Sequence, residues 1–187
     1  MTGWKHRAAI CGLTLALLPL PTLACGIVYG ADWAFVSQTP DGWSEACGKE
    51  AMDKTAITLW PASQASDRSD ALMYVTVSGK GEQSLDAFAD EEIARFRASS
   101  KRSMVSAVRI APALGSARRL VHITNAPGGH DELVAYIEGP TSFFIVVLSA
   151  DSLALQQKYR AAFDEYLANF IPMERRSDSS ADAARKS

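Results

Sequence analysis

The feature that most constrains the fold is an eight-residue run, Ser142–Ser149, which is apolar at nearly every position. Its central residues are Phe, Phe, Ile, Val, Val and Leu, and aromatic and β-branched side chains favour a strand. Because successive side chains of a strand point to opposite faces, such a run must be covered on both sides. The run therefore predicts a central strand in a sheet that is packed on both faces.

Further strand-like runs surround this one, and Gly- or Pro-containing turns separate the last four. Short strands at regular spacing with such turns indicate an antiparallel meander. The predicted strands are 32–38, 56–60, 71–78, 104–110, 117–124, 133–138 and 142–149. The sequence thus predicts an antiparallel sheet of about six strands.

Two amphipathic patterns predict helices. The first begins with Ser84 as its N-cap. The second begins near Asp151 and Ser152, either of which can cap it, and is stopped by Pro172. Apolar side chains recur at helical spacing in both: Leu85, Phe88, Ile93 and Phe96 in the first, and Tyr159, Phe163, Tyr166 and Phe170 in the second. The predicted fold class is α+β, with two main helices packed on the antiparallel sheet.

The N-terminal 24 residues have the pattern of a secretory signal peptide. Lys5 and Arg7 precede an apolar run of about 13 residues, which is short of the roughly 20 needed to cross a bilayer. Small residues follow this run, as at a cleavage site. We expect an exported protein, periplasmic or secreted, with a signal peptide (1–24), one domain (25–173) and a disordered, charged tail (174–187).

Cleavage after Ala24 would leave Cys25 and Cys47 as the cysteines of the mature chain. Two cysteines in an oxidising compartment favour a disulfide, which would close a loop of about 20 residues and contribute ~3 kcal/mol. The alternative is a lipid anchor on Cys25. Thr22 stands where a lipobox usually has Leu, so the sequence favours the disulfide.

The order of these elements resembles the PsbP-like fold, which is shared with the Ran-binding Mog proteins and bacterial DcrB-like domains. The resemblance covers roughly 32–173 and rests on the Pro40–Trp43 turn, the helix start at Ser84–Phe88 and the C-terminal helix that ends in Asn169–Phe170. It implies an α/β/α sandwich. It also implies a non-enzymatic binding or assembly protein, and it carries over no catalytic residues.

The strongest candidate for a metal site is the contiguous set His130, Asp131 and Glu132. An imidazole and two carboxylates can hold a divalent cation. Adjacent residues of a strand point to opposite faces, however, so the three do not readily converge. The sequence therefore favours a solvated turn at these residues.

Aromatic and basic residues supply a candidate binding surface, with Trp33, Trp43, Trp60, Arg118 and Arg119 as its members. Core packing is the commoner role of tryptophan, and the alternative is an exposed rim for a protein or glycan partner. The arginine pair could dock an acidic partner.

The charge balance and the absence of common catalytic motifs narrow the classes of function that the chain could have. Lys and Arg number 19 against 21 Asp and Glu, so the chain lacks the basic excess of a nucleic-acid binder. The common catalytic signatures, G-x-S-x-G, H-E-x-x-H, C-x-x-C and the P-loop, are absent. We expect a binding, assembly or accessory domain without a cofactor that contacts an envelope protein, one version being an immunity-type inhibitor. The alternatives are an envelope hydrolase or metal-dependent enzyme around His130, Asp131 and Glu132, and a small-ligand carrier.

Overall fold

The structure, a computed structural model, describes residues 26–52, 54–109 and 117–174. Ten strands and two α-helices lie within these ranges. The strands are β1 (Ile27–Tyr29), β2 (Trp33–Val36), β3 (Trp43–Cys47), β4 (Ile57–Pro61), β5 (Ala71–Gly79), β6 (Met104–Val108), β7 (Ala117–Thr124), β8 (Asp131–Glu138), β9 (Ser142–Ala150) and β10 (Ile171–Glu174). The helices are α1 (Leu85–Ser99) and α2 (Leu153–Asn169).

Seven strands form the large sheet, in the order β3-β4-β5-β9-β8-β7-β6, and every neighbouring pair is antiparallel. The predicted central strand is β9, the fourth of the seven. Phe144 and Val146 are buried on one face of β9, while Phe143 and Val147 are buried on the other. The prediction of a strand covered on both sides is confirmed.

The two helices lie on opposite faces of this sheet, which gives the α/β/α arrangement. Helix α2 buries Phe163, Tyr166 and Leu167 in the larger core, and α1 buries Phe88 and Ile93 in a second core with β7, β8 and β9. The predicted N-cap Ser84 is present, and Ser152, one of the two candidates for the second helix, caps α2: the hydroxyl oxygens of Ser84 and Ser152 accept backbone N–H bonds from Ala87 and Leu155. The predicted α+β class with two main helices is confirmed.

A second, three-stranded sheet has the order β1-β2-β10 and joins the two ends of the described chain. Its inner face places Phe35 against Phe144 and Phe170, with ring centroids 5.6 and 4.8 Å apart. Phe35 is fully buried, so this aromatic contact attaches the small sheet to the rest of the domain.

Three strands were not predicted: β1, β3 and β10. α2 ends at Asn169 with Phe170 as its C-cap, and Pro172, which lies inside β10, comes two residues later, where a proline cannot continue a helix. Glu174, the first residue of the predicted tail, is the last residue of β10. The predicted signal peptide, Cys25 and residues 175–187 lie outside the described ranges.

Candidate functional site

The three predicted metal ligands do not converge. Asp131 and Glu132 begin β8 and face opposite sides of the sheet: Asp131 lies 3.6 Å from Nε2 of His122, whereas Glu132 is paired with Ser149 of β9. Nδ1 of His130 lies 3.2 Å from the carboxylate of Asp151. Among the described residues, no group of three or more His, Cys, Asp or Glu side chains could hold a metal ion.

Glu132 instead belongs to a polar group at one end of the sheet. The hydroxyl of Ser149 donates to its carboxylate at 3.3 Å. Burial raises the pKa of Glu132, and this bond and the charge of His130 oppose the rise. Burial and the charge of Glu132 likewise raise the pKa of Tyr74, so its phenol stays neutral. Burial also raises the pKa of Tyr136, on the same strand as Glu132, to about 12.

A pocket of about 240 Å³ opens beside this group. Its floor is the part of the sheet that α1 leaves open, where Leu72 of β5 is paired with Ser149 of β9. The other lining residues are Met52, Ser69, Asp70, Ala71, Tyr74, His130 and Asp151. We call this set, with Glu132 behind Ser149, the polar pocket.

We expect Glu132→Gln to stabilise the fold at neutral pH. Because the folded-state pKa is raised, the folded chain holds this proton more tightly than the unfolded chain, whose pKa is about 4.5. The free energy of unfolding therefore falls as pH rises from about 4.5 through the folded-state pKa. Above the folded-state pKa, the charged carboxylate of Glu132 destabilises the fold by its full amount. Urea unfolding should give E132Q the higher midpoint at pH 7, with the difference closing near pH 4.

Glu138→Gln is the matched control for that comparison. Glu138 lies on the same strand and face as Glu132, but it pairs with Lys80 at a more exposed position. Its replacement should not raise the midpoint. A lower midpoint for E132Q than for the native chain at pH 7 would contradict the cost assigned to Glu132.

The three predicted tryptophans do not form one surface. Trp33 stacks on Phe35 with centroids 6.0 Å apart, and Trp43 meets Tyr159 edge-on at 5.4 Å. Both pack against the larger core. Trp60 is half-buried and, being paired with Ser44 next to Trp43, faces the other side of the sheet.

The predicted arginine pair lies in β7, and Cys47 lies in β3. Arg119 is paired with α1, its Nη2 lying 2.7 Å from Oδ1 of Asp90. Arg118 is in β7, and its side chain is outside the described part of the chain. Cys47 ends β3. Since Cys11 and Cys25 both lie outside the described residues, the pairing of Cys47 with Cys25 stays a prediction.

An apolar surface on the outside of the small sheet was not predicted from the sequence. Ile27 and Ile171 flank Val36, and Tyr29 and Met173 flank Ala34, so all six side chains share one face. Exposure reaches 57% for Ile27, 68% for Tyr29 and 53% for Ile171. We call these six residues the outer face. The alternation of Ala34 and Val36 with Trp33 and Phe35 was its only visible signal.

The fold and these surfaces define an α+β sandwich domain with an apolar outer face and a separate polar pocket. A search of solved structures finds similarity to the solution structure of cyanobacterial PsbP (CyanoP) from Synechocystis sp. PCC 6803. Identity is 15%, the alignment covers 79% of this chain and 96% of that one, and the TM-score is 0.46. The PsbP-like fold is the one that the sequence resembles; no function follows from this similarity.

No family model and no curated protein matches the chain. Within the described residues, neither helix is long and apolar enough to cross a membrane.

Proposed function

We propose that this chain is an exported, non-enzymatic binding or assembly domain that acts through protein contacts in the cell envelope, with the outer face as its docking surface. The observation that carries the proposal is the composition of that face. Six apolar side chains lie together on it, and three of them are more than half exposed.

A sheet face that contacts only solvent is not expected to be apolar at all six positions. An antiparallel sheet with one face in water normally alternates apolar and polar residues. The inner face of the small sheet is buried, as expected, but none of the six outer residues carries a charge. Contiguous exposed apolar patches of this kind mark interaction sites. The partner would present apolar side chains to a nearly flat surface of three short strands.

Export is supported by the signal-peptide pattern of residues 1–24, and the predicted disulfide between Cys25 and Cys47 would suit an oxidising compartment. The immunity-type version of the proposal, in which the domain occludes a toxin, requires only a docking face. A lipid anchor on Cys25 would hold the same face near a membrane.

The geometry does not support the alternative of an enzyme built around His130, Asp131 and Glu132, because Asp131 and Glu132 face opposite sides of the sheet. The carrier alternative keeps one observation in its favour, a pocket of about 460 Å³ between the sheet and α2. Its lining is Val108, His122, Leu133, Leu153, Gln156, Gln157 and Arg160.

Co-purification with outer-face variants tests the docking surface. We expect the double variant Ile27→Thr, Ile171→Thr to recover at least ten times less envelope partner than the native chain, a loss of about 1.4 kcal/mol in binding. Threonine keeps the β-branched shape that strands prefer and removes apolar area. Partner recovery would be quantified by mass spectrometry against the amount of tagged domain.

Met104→Thr is the control, since Met104 is 66% exposed on β6, outside the small sheet. It should recover the partner as the native chain does. Equal recovery by the outer-face variant and the native chain would reject the outer face as the docking surface.

A further inference from the structure

The polar pocket is distinct from the outer face. The small sheet attaches through Phe35 to Phe144, near the start of β9, whereas the pocket includes Ser149 and Asp151 at its other end. Strands rise about 3.3 Å per residue, so roughly 20 Å of strand separates the two places. A ligand in the pocket would therefore leave the docking surface free.

Charge in and around the pocket is negative. Asp70 and Asp151 supply carboxylates to its lining, and Glu132 lies directly behind Ser149. Among the described residues that line it there is no Lys or Arg side chain. Of the lining residues that the structure describes, His130 is the one base, and it is already paired with Asp151. Lys158 approaches from α2, where its ammonium contacts the Tyr159 hydroxyl that donates to Asp70.

The walls of the polar pocket consist of an aromatic ring, apolar side chains and a hydroxyl group. Tyr74 presents a half-buried neutral phenol, and aromatic faces attract cations at close range. Leu72 and the half-exposed Met52 give apolar surface to which a short methylene chain can pack. Ser149 adds a hydroxyl that links the pocket to Glu132.

We propose that the polar pocket binds a primary alkylammonium group, either the side chain of a lysine on a partner or a free alkylamine. The ammonium head would lie between the carboxylate of Asp151, the hydroxyl of Ser149 and the ring of Tyr74, with its methylene chain against Leu72 and Met52. Glu132 acts through Ser149 as a countercharge behind the head.

A bound alkylammonium group would explain why the chain keeps a carboxylate at the buried position of Glu132. A buried carboxylate is costly unless an opposite charge is near. Its described neighbours are a hydroxyl on Ser149, the neutral phenols of Tyr74 and Tyr136, and His130, which already pairs with Asp151. A bound ammonium would supply a further positive charge close to Glu132. Natural binding sites often retain such destabilising groups because function requires them.

Titration of the full mature chain with n-butylammonium, followed by amide shifts in two-dimensional NMR, tests the proposal. We expect saturable shifts centred on Ser149 and Asp151, and none from n-butanol or butyrate at the same concentrations. Glu132→Gln and Asp151→Asn should each weaken the apparent Kd about tenfold, as expected for loss of a charge-assisted contact. Glu138→Gln, on the same strand, should leave the Kd unchanged.

A lysine-containing tripeptide with blocked ends and its Nε-acetyl-lysine counterpart distinguish the two sources. Tighter binding of the lysine peptide than of n-butylammonium assigns the pocket to a partner side chain, and the reverse order assigns it to a free amine. Acetylation should abolish binding, because it removes the charge.

Two results would overturn the proposal: equal shifts from n-butanol or butyrate, or an unchanged Kd in both E132Q and D151N. The outer-face double variant should bind n-butylammonium like the native chain. The proposal of an amine-binding pocket and the proposal of a docking surface can therefore be rejected independently of each other.

Discussion

Replacement of Phe35 by alanine should lower the free energy of unfolding by about 4 kcal/mol, as large aromatic-to-alanine changes in cores do. Phe35 is fully buried and contacts the rings of Trp33, Phe144 and Phe170. The cavity would open where the small sheet meets the larger core. Urea unfolding of the native chain and of F35A, followed by tryptophan fluorescence, gives the difference directly.

Phe35→Leu is the control for Phe35→Ala. It keeps most of the apolar volume and should cost less than about 1.5 kcal/mol if it repacks well. A loss below about 1 kcal/mol in F35A, under the usual range for such a change, would mean that the small sheet contributes little to the stability of the domain.

Ser37→Ala should destabilise the fold by about 2 kcal/mol, because it removes a buried hydrogen-bond partner. The Ser37 hydroxyl donates to the hydroxyl of Tyr166 at 3.1 Å, and both residues are buried. Burial raises the pKa of Tyr166, so its phenol is neutral and depends on hydrogen bonds rather than charge. Equilibrium unfolding at pH 7 measures the loss.

A double-mutant cycle with Tyr166→Phe separates the hydrogen bond from the packing of the ring. The double variant should lose less than the sum of the single losses by about 1 kcal/mol, since it leaves no unsatisfied hydroxyl. Strictly additive losses would show that Ser37 and Tyr166 are not coupled. Position 37 follows β2 and position 166 lies in α2, so the coupling joins the small sheet to the helix.

Local periodicity was enough to predict most of the secondary structure. Both helices repeat apolar side chains every three or four residues, and β7 and β9 alternate or stay apolar over eight or more residues. The missed strands lack such a pattern. β1 has three residues, β3 is Trp-Ser-Glu-Ala-Cys, and β10 contains a proline, which is tolerated in edge strands.

The candidate sites were harder to predict, because strand register and not sequence proximity assembles them. His130, Asp131 and Glu132 are contiguous, yet strand alternation places Asp131 and Glu132 on opposite faces. The polar pocket instead combines Tyr74, Ser149 and Asp151 from distant parts of the sequence. Only the β5–β9 pairing, which the sequence does not reveal, brings Leu72 beside Ser149.

The small sheet also sets an order of events during synthesis. β1 and β2 emerge early, but β10, which pairs with β2, ends at Glu174 and is the last described strand to be made. The four outer-face residues of β1 and β2 must therefore wait, with one edge of β2 unpaired, until residues 171–174 have been translated. A chain that stops before Ile171 lacks the two residues that β10 adds to the face.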